Sequence, residues 1–202
     1  MINYRSVRQK RLQSLKEGLA RKPIIAGLKG LKEVLRTREA GVKVCFYLTG
    51  DIFELRRLAK LCKEQGQMLF AHVDLIGGIA KDGPGMEVLA NEVGIDGVLT
   101  TKGYLVTAAQ KVGMLGIQRL FMLDSEALKT GLRMIQSSQP DAVEILPALV
   151  LPAVRERLSP HELPPMIAGG LVETKDELER IVKPPVLAVS TSRSELWNYE
   201  RV

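Results

Sequence analysis

Short apolar segments rich in β-branched residues alternate along this chain with longer segments of helical periodicity. Eight apolar runs recur from Pro23 onward, at residues 23–29, 42–51, 68–76, 96–102, 115–123, 142–148, 164–171 and 185–192. Between them, apolar positions repeat every three to four residues in segments such as 52–65, 104–113, 125–138 and 174–183. This alternation predicts parallel strands joined by helical crossovers.

Eight strand–helix units in one chain favour closure of the sheet. We therefore predict an α/β fold, a (β/α)8 TIM-type barrel near the lower size limit of that architecture. An open doubly wound sheet is the alternative, but no dinucleotide or P-loop glycine motif supports it. Leu12, Leu15 and Leu19 give the segment before the first strand part of an apolar helical stripe. We assign residues 1–22 to a basic helical extension and residues 23–202 to the barrel domain.

The net charge of +6 is concentrated in this extension. Residues 1–22 hold seven basic residues and one acid, and the remainder of the chain holds equal numbers of each. Two interpretations are open. The helix could dock on the barrel through its apolar stripe, or its basic side chains could contact nucleic-acid phosphates. The second interpretation makes Arg5, Arg8, Lys10 and Arg11 candidate RNA-binding residues.

The composition excludes several other classes of protein. Apolar residues make up 46% of the chain and charged residues 26%, as in soluble globular proteins. There is no apolar run of transmembrane length and no apolar secretory signal at the N-terminus. Cys45, Cys62, His72 and His161 have no metal-binding spacing. We therefore expect a cytoplasmic protein without membrane association, metal or cofactor.

Charged residues occur within or directly after several predicted strands, where parallel barrels bind their ligands. They are Asp74, Lys102, Arg119 and Glu144, and Asp51 follows the second strand. Because charges are rarely buried without partners, an internal ion-pair network is one interpretation and a polar ligand pocket is the other. Asp51 is equally suited to capping the next helix.

The last two strands end in residues suited to phosphate binding. Gly169 and Gly170 end the seventh strand, and Ser190, Thr191 and Ser192 end the eighth. Glycine amides and serine hydroxyls at this point of a barrel often form a phosphate site. The alternative is structural, since Thr174 with Glu177 and Ser192 with Glu195 both have capping-box spacing.

Several motifs also occur in an order that resembles a known family. They are HVDLIGG (72–78), DGVLTTK (96–102), IQRLFMLDSEAL (117–128), VEILPA (143–148), IAGGLVETKDE (167–177) and AVSTSRSELW (188–197). Over about residues 23–197 the chain is similar to the glycerol uptake operon antiterminator regulatory proteins. The resemblance implies a regulator, not an enzyme, whose effector is glycerol 3-phosphate. It further implies that the liganded protein binds the leader of its target mRNA, prevents transcription termination and stabilises the transcript of glycerol-utilisation genes.

The implied ligand fits the candidate residues. Gly169, Gly170, Ser190, Thr191 and Ser192 would hold the phosphate. Asp74 and Glu144 would accept hydrogen bonds from the two hydroxyls, Lys102 and Arg119 would offset the phosphate charge, and Asp51 is a further pocket candidate.

An enzyme is the alternative function, because the barrel fold hosts many chemistries. In an aldolase or isomerase acting on a small sugar phosphate, Lys102 would form a Schiff base, and Asp74 or Glu144 would act as acid or base.

Overall fold

A computed structural model describes residues 3–158 and 162–201 of the chain. Eight parallel strands form a closed barrel in which each strand pairs with its neighbours along the chain and the first pairs with the last. The strands are β1 (Ile24–Leu28), β2 (Val44–Tyr47), β3 (Met68–His72), β4 (Gly97–Thr100), β5 (Leu115–Phe121), β6 (Ala142–Leu146), β7 (Met166–Gly169) and β8 (Val186–Thr191). The predicted (β/α)8 barrel is confirmed, and every strand lies within a predicted apolar run.

Helices connect successive strands on the outside of the barrel, and one further helix precedes the first strand. They are α1 (Tyr4–Arg21), α2 (Val34–Glu39), α3 (Ile52–Glu64), α4 (Gly83–Val88), α5 (Gly103–Lys111), α6 (Ser125–Ser138), α7 (Leu151–Leu158) and α8 (Lys175–Ile181). Helix α1 precedes β1, and β8 is followed by a 3-10 turn at Ser194–Leu196. Helix α1 lies within the extension that we assigned to residues 1–22.

Alternation of side chains along each strand produces two separate apolar cores. The outer core lies between the strands and the helices. The inner core fills the barrel and includes Phe46 and Phe70, whose rings meet edge to face with centroids 5.6 Å apart. The interior is therefore packed, so ligands must bind at the ends of the barrel.

Helix α1 closes the basal end, where the strands begin. Leu15 and Leu19 are fully buried and belong to the inner core. On the same side of the helix, Arg8 pairs with Asp141 at 3.4 Å and Arg11 pairs with Asp96 at 3.6 Å. Arg11 also donates to the carbonyl of Gly113 at 2.7 Å. The basic extension is thus a packed part of the barrel.

The chain after β8 is fixed at two points. The indole Nε1 of buried Trp197 donates to the carbonyl of Thr191 at 2.9 Å, which holds the end of β8. The amide of Arg201 donates to the carbonyl of Arg21 at 2.8 Å, which joins this segment to the end of α1.

Truncating the apolar contact between α1 and the barrel should destabilise the whole domain. We expect Leu15→Ala to lower the free energy of unfolding by about 2–5 kcal/mol, because it leaves a cavity in the inner core. Urea denaturation followed by circular dichroism measures this change. Leu35→Ala is the matched control, because Leu35 is 63% exposed; that variant should stay within about 0.5 kcal/mol of the wild type. Equal stability of the two variants would contradict the basal packing of α1.

Candidate functional site

A cavity of about 500 Å³ opens at the mouth of the barrel, where the strands end. Its lining comes from the residues at or after the ends of β1, β2, β5, β6, β7 and β8. They are Gly27, Lys29, Leu48, Arg119, Glu144, Leu146, Gly170, Leu171, Val172, Glu173, Ser190, Thr191, Ser192 and Arg193. The structure therefore brings together six predicted ligand-binding residues, namely Arg119, Glu144, Gly170, Ser190, Thr191 and Ser192.

The floor of the cavity is a buried ion pair. Arg119 Nε donates to Glu144 Oε2 at 2.6 Å, across the neighbouring strands β5 and β6. The other carboxylate oxygen, Oε1, accepts from the Ser190 hydroxyl at 2.6 Å. Glu144 is 1% exposed, so these partners supply the hydrogen bonds that replace its hydration. Internal ion pairing and a polar pocket, the two interpretations of these charges, coexist here.

Gly169 is required by this ion pair. A Cβ atom at this position would lie 2.4 Å from Glu144 Oε1 and 2.8 Å from the Ser190 hydroxyl. The space that the missing side chain leaves at Gly169 is therefore occupied by the Glu144 carboxylate. Gly169 supports the cavity from beneath but does not line it.

Gly170 differs from Gly169 in that its backbone adopts a left-handed conformation. Its φ is +80°, and the next residue, Leu171, also has a positive φ of 63°. A positive φ is uncommon for a leucine, and backbone strain of this kind is concentrated at functional sites. Leu171 is 65% exposed, so no burial of its side chain accounts for the conformation.

Backbone amides at the cavity are available for an anion. Within the described part of the chain, the amides of Leu171, Val172 and Ser192 donate no hydrogen bond to another protein group. The Thr191 hydroxyl, by contrast, is occupied: it accepts from the Arg193 amide at 3.1 Å and contacts the Val172 carbonyl at 3.5 Å. Turns with successive free amides form concave anion sites. The loops after β7 and β8 provide such amides.

The cations of the cavity differ in their partners. Arg119 is neutralised by Glu144, and Arg193 pairs with Glu173 at 2.6 Å. Lys29, at the end of β1, lines the cavity and has no carboxylate within 4.0 Å of its ammonium group among the described residues. Lys29 is thus the cation of this site that retains an uncompensated charge.

A second polar cluster lies beside the cavity, after β3 and β4. Asp74 accepts from the Thr100 hydroxyl at 3.0 Å and from the Thr101 amide at 2.9 Å. Lys102, which the sequence analysis placed in the pocket, is exposed. Neither Asp74 nor Lys102 lines the cavity, so the predicted pocket is divided into two parts.

His72 joins the two clusters. Its ring lies 3.1 Å from Arg119 Nη1 on one side and 3.5 Å from Asp74 Oδ2 on the other. Burial, followed by the positive charge of Arg119, lowers the pKa of His72 to about 4. The ring is therefore neutral at pH 7, and one of its nitrogens accepts a hydrogen bond from Arg119.

Helix capping explains some of the other predicted polar residues. Asp51 Oδ1 accepts from the Glu54 amide at 2.8 Å and caps α3, so the capping alternative is the one that the structure shows. Thr174 and Glu177 form the capping box of α8. Ser192 and Glu195 form no such box, because the residue preceding the last 3-10 turn is Arg193, without a side-chain cap.

The four predicted RNA-binding residues lie at the opposite, basal end. Arg8 and Arg11 are engaged in the ion pairs that dock α1, whereas Arg5 and Lys10 are exposed. In the described residues no group of three or more metal-ligating side chains converges, and no helix is long and apolar enough to cross a membrane. His161, considered above as a possible ligand, lies outside the described residues.

Sequence reasoning missed several cavity residues, namely Gly27, Lys29, Leu171, Glu173 and Arg193. All of them directly follow, or lie at the end of, a predicted strand. For Lys29, the sequence signal is the run AGLKG (26–30), which spans the end of β1. The run AVSTS (188–192) spans the end of β8 in the same way. The pairing of β1 with β8 brings these two ends together.

Comparisons with known proteins identify the family of this chain. Residues 24–197 match the family model described as glycerol-3-phosphate responsive antiterminator. A crystal structure of a glycerol uptake operon antiterminator regulatory protein from Listeria monocytogenes is 32% identical, with a TM-score of 0.80, over 87% of this chain and 95% of that one. An antiterminator-related protein from Thermotoga maritima is also 32% identical, with a TM-score of 0.78, over 89% and 99% of the two chains.

A further relative is the uncharacterized protein YgcP of Escherichia coli, which is 29% identical over 89% of this chain and 93% of its own length. A 2-keto-3-deoxy-6-phosphogluconate aldolase of Zymomonas mobilis, at 17% identity and a TM-score of 0.63 over 90% of this chain and 86% of its own, shares the fold alone.

The low pKa of His72 predicts how stability depends on pH. The unfolded chain protonates this histidine near pH 6.5 and the folded chain only near pH 4, so the unfolded state binds more protons between these values. The free energy of unfolding should therefore fall as the pH falls through this window, with a loss of roughly 2 kcal/mol from His72 between pH 7 and pH 5. Urea titrations at both values measure it.

The assignment to His72 is tested by substitution. His72→Gln should remove most of this loss, whereas His161→Gln, which removes the other histidine, should retain it. If the two substitutions flatten the pH dependence equally, the loss does not come from His72.

Proposed function

The chain belongs to the glycerol-3-phosphate responsive antiterminator family, and from this premise we propose that it binds glycerol 3-phosphate and thereby controls its association with RNA. In the proposed function, the liganded protein binds the leader of its target mRNA, prevents transcription termination and stabilises the transcript. The family match and the antiterminator structures support the regulatory assignment. The chemistry of the cavity supports the choice of ligand.

The observation that carries the proposal is that free loop amides and a cation without a carboxylate partner line the same cavity. The amides of Leu171, Val172 and Ser192 would bind the phosphate oxygens, and Lys29 would balance the remaining negative charge. Glu144 and Ser190 lie on the floor of the same cavity and offer oxygen acceptors to the two hydroxyls. A cavity of about 500 Å³ is in the size range of small-molecule sites.

The structure gives the enzyme alternative little support. An aldolase of the Schiff-base type needs its lysine beside the bound carbonyl group. Lys102, the candidate for that lysine, is exposed and lies outside the cavity. The aldolases compared are at most 17% identical to this chain. Similarity at that level shows a shared fold and not a shared reaction.

Binding should be selective for the phosphate ester and should depend on the loop after β7. Calorimetric titration of the wild type should show binding of glycerol 3-phosphate and much weaker binding of glycerol or inorganic phosphate. Gly170→Val should abolish binding, because valine cannot adopt a φ of +80° without strain. Urea denaturation must show that the variant remains folded. Equal binding of glycerol and glycerol 3-phosphate would contradict a phosphate site.

Lys29→Met tests the charge balance of the cavity. We expect affinity for glycerol 3-phosphate to fall about tenfold, because a charge-assisted hydrogen bond contributes about 1.5 kcal/mol or more. Affinity for glycerol should not change. Lys32→Met is the matched control, since Lys32 is exposed on the same loop and does not line the cavity. A similar loss in both variants would mean that long-range charge, not contact with Lys29, sets the affinity.

A further inference from the structure

We propose that RNA binds the basal end of the barrel, opposite the ligand cavity, on a surface formed by Arg5, Lys10, Lys16, Lys22 and Lys43. We call this the basal surface. The proposal rests on the proposed function, because it takes RNA as the partner. It differs from the prediction made from the sequence, in which Arg8 and Arg11 also contact RNA, because the structure uses those two residues to dock α1.

The two ends of the barrel differ in charge for a structural reason. Helices that follow strands begin at the mouth, where Asp51, Asp82 and Asp124 cap α3, α4 and α6. The last turns of the crossover helices lie at the basal end. Those of α3, α5 and α8 carry Lys63, Lys111 and Arg180, whereas those of α4 and α6 carry no basic residue. Both arrangements are favoured by the helix dipole. The mouth therefore carries capping carboxylates in addition to Lys29, Arg119 and Arg193 of the cavity.

Helix α1 adds charge to the basal end. Its inner side is used for packing, with Leu15 and Leu19 buried in the barrel. Arg5, Lys10 and Lys16 are exposed, and none of the three has a carboxylate within 4.0 Å among the described residues. Because α1 is fixed by its apolar contacts and ion pairs, these cations are held in place and do not belong to a mobile tail.

A cleft of about 480 Å³ opens at the basal end beside α1 and is lined by Lys22 and Lys43, whereas Lys16 lies on the other flank of the helix, beside Leu187. Lys43 enters it from the strand side, with its Cβ close to the position that a Gly18 side chain would occupy. Gly41 and Gly66 form part of its wall, so the backbone is accessible there. Glu17 and Glu200 also line the cleft, and Glu200 pairs with Arg21 at 3.1 Å.

Lys22 is the observation that points to a ligand in this cleft. Its side chain is only 10% exposed, and its ammonium group lies 3.7 Å from Glu200 Oε1, beyond hydrogen-bond distance. No other described residue supplies a hydrogen-bond acceptor to it. Lys22 lines the cleft, and its ammonium group keeps hydrogen-bond donors that the ion pair with Glu200 does not use. A phosphodiester oxygen in the cleft would accept from them.

The chemistry of the basal surface indicates how RNA would be recognised. The exposed aromatic side chains of the described chain, Phe53, Tyr104 and Phe121, lie at or after the ends of β2, β4 and β5 and therefore toward the mouth. The aromatic residue of α1, Tyr4, is partly exposed and lies against Gly113. Among the described residues, the basal surface thus offers cations without a fully exposed stacking platform. Such a surface contacts the phosphate backbone and reads shape more than base sequence.

The salt dependence of RNA binding tests the proposal. The probe is a fluorescently labelled RNA hairpin followed by a uridine run, titrated with the full chain in the presence of glycerol 3-phosphate. For the triple variant Lys10→Gln, Lys16→Gln and Lys43→Gln, we expect the slope of log K against log salt to become shallower by about two to three. Lys22→Met should weaken binding about tenfold.

The matched control removes three lysines from the other side of the barrel, by Lys32→Gln, Lys129→Gln and Lys175→Gln. This control should leave the slope unchanged, and both triple variants should bind glycerol 3-phosphate as the wild type does. An equal change of slope in the two triple variants would overturn the proposal. Binding of anionic phosphatidylserine vesicles without binding of RNA would also overturn it, in favour of a membrane partner.

The same experiment separates this inference from the proposed function. If the wild type binds glycerol 3-phosphate but neither RNA probe nor vesicles, the basal proposal fails and ligand sensing stands. If the basal variants lose RNA binding although no form of the protein binds glycerol 3-phosphate, the surface stands and the proposed effector is wrong.

Discussion

The buried ion pair of Arg119 and Glu144 is the constraint on which the mouth of the barrel depends. One carboxylate oxygen holds β5 to β6 and the other accepts from Ser190 on β8, while the guanidinium contacts His72 on β3. Removing one partner of such a pair costs about 3–5 kcal/mol, because the remaining charge is buried alone. The requirement for glycine at position 169 follows from the pair, since any side chain there would displace the carboxylate. The cavity thus has a hydrogen-bonded polar floor beneath the loops that follow β7 and β8.

The basal end is closed by a different interaction, the burial of two leucines of α1 in the inner core. The polar contacts at the mouth and the contacts of α1 at the basal end share no residue, so substitutions at the two ends should act independently. No residue of the basic extension lines the cavity. Its inner arginines are matched to Asp96 and Asp141, which stand before β4 and β6, and its outer cations face away from the barrel.

Much of this architecture could be predicted from the sequence. The alternation of apolar runs and helical periodicity predicted all eight strands, and the ends of β7 and β8 identified Gly170 and Ser190 as cavity residues. The sequence could not indicate the positions that depend on distances around the barrel. Asp74 and Lys102 stand at strand ends, as Arg119 does, but Asp74 turns to Thr100 and Thr101 and Lys102 is exposed. Lys29 was missed because its place beside β8 follows from closure of the barrel, which brings the first and last strands together.

Strands β1 and β2 both connect the two surfaces. Lys22 and Lys43 stand just before these strands in the basal cleft, and Lys29 and Leu48 stand just after them in the cavity. Seven residues of extended chain separate Lys22 from Lys29 by roughly 23 Å. Ligand binding can alter RNA affinity only if the ligand prefers one of two conformations, and linkage then requires RNA to alter ligand affinity by the same factor. Because β1 is hydrogen-bonded to both β2 and β8, such a conformational difference must involve a shared movement of these three strands or of the loops at their ends.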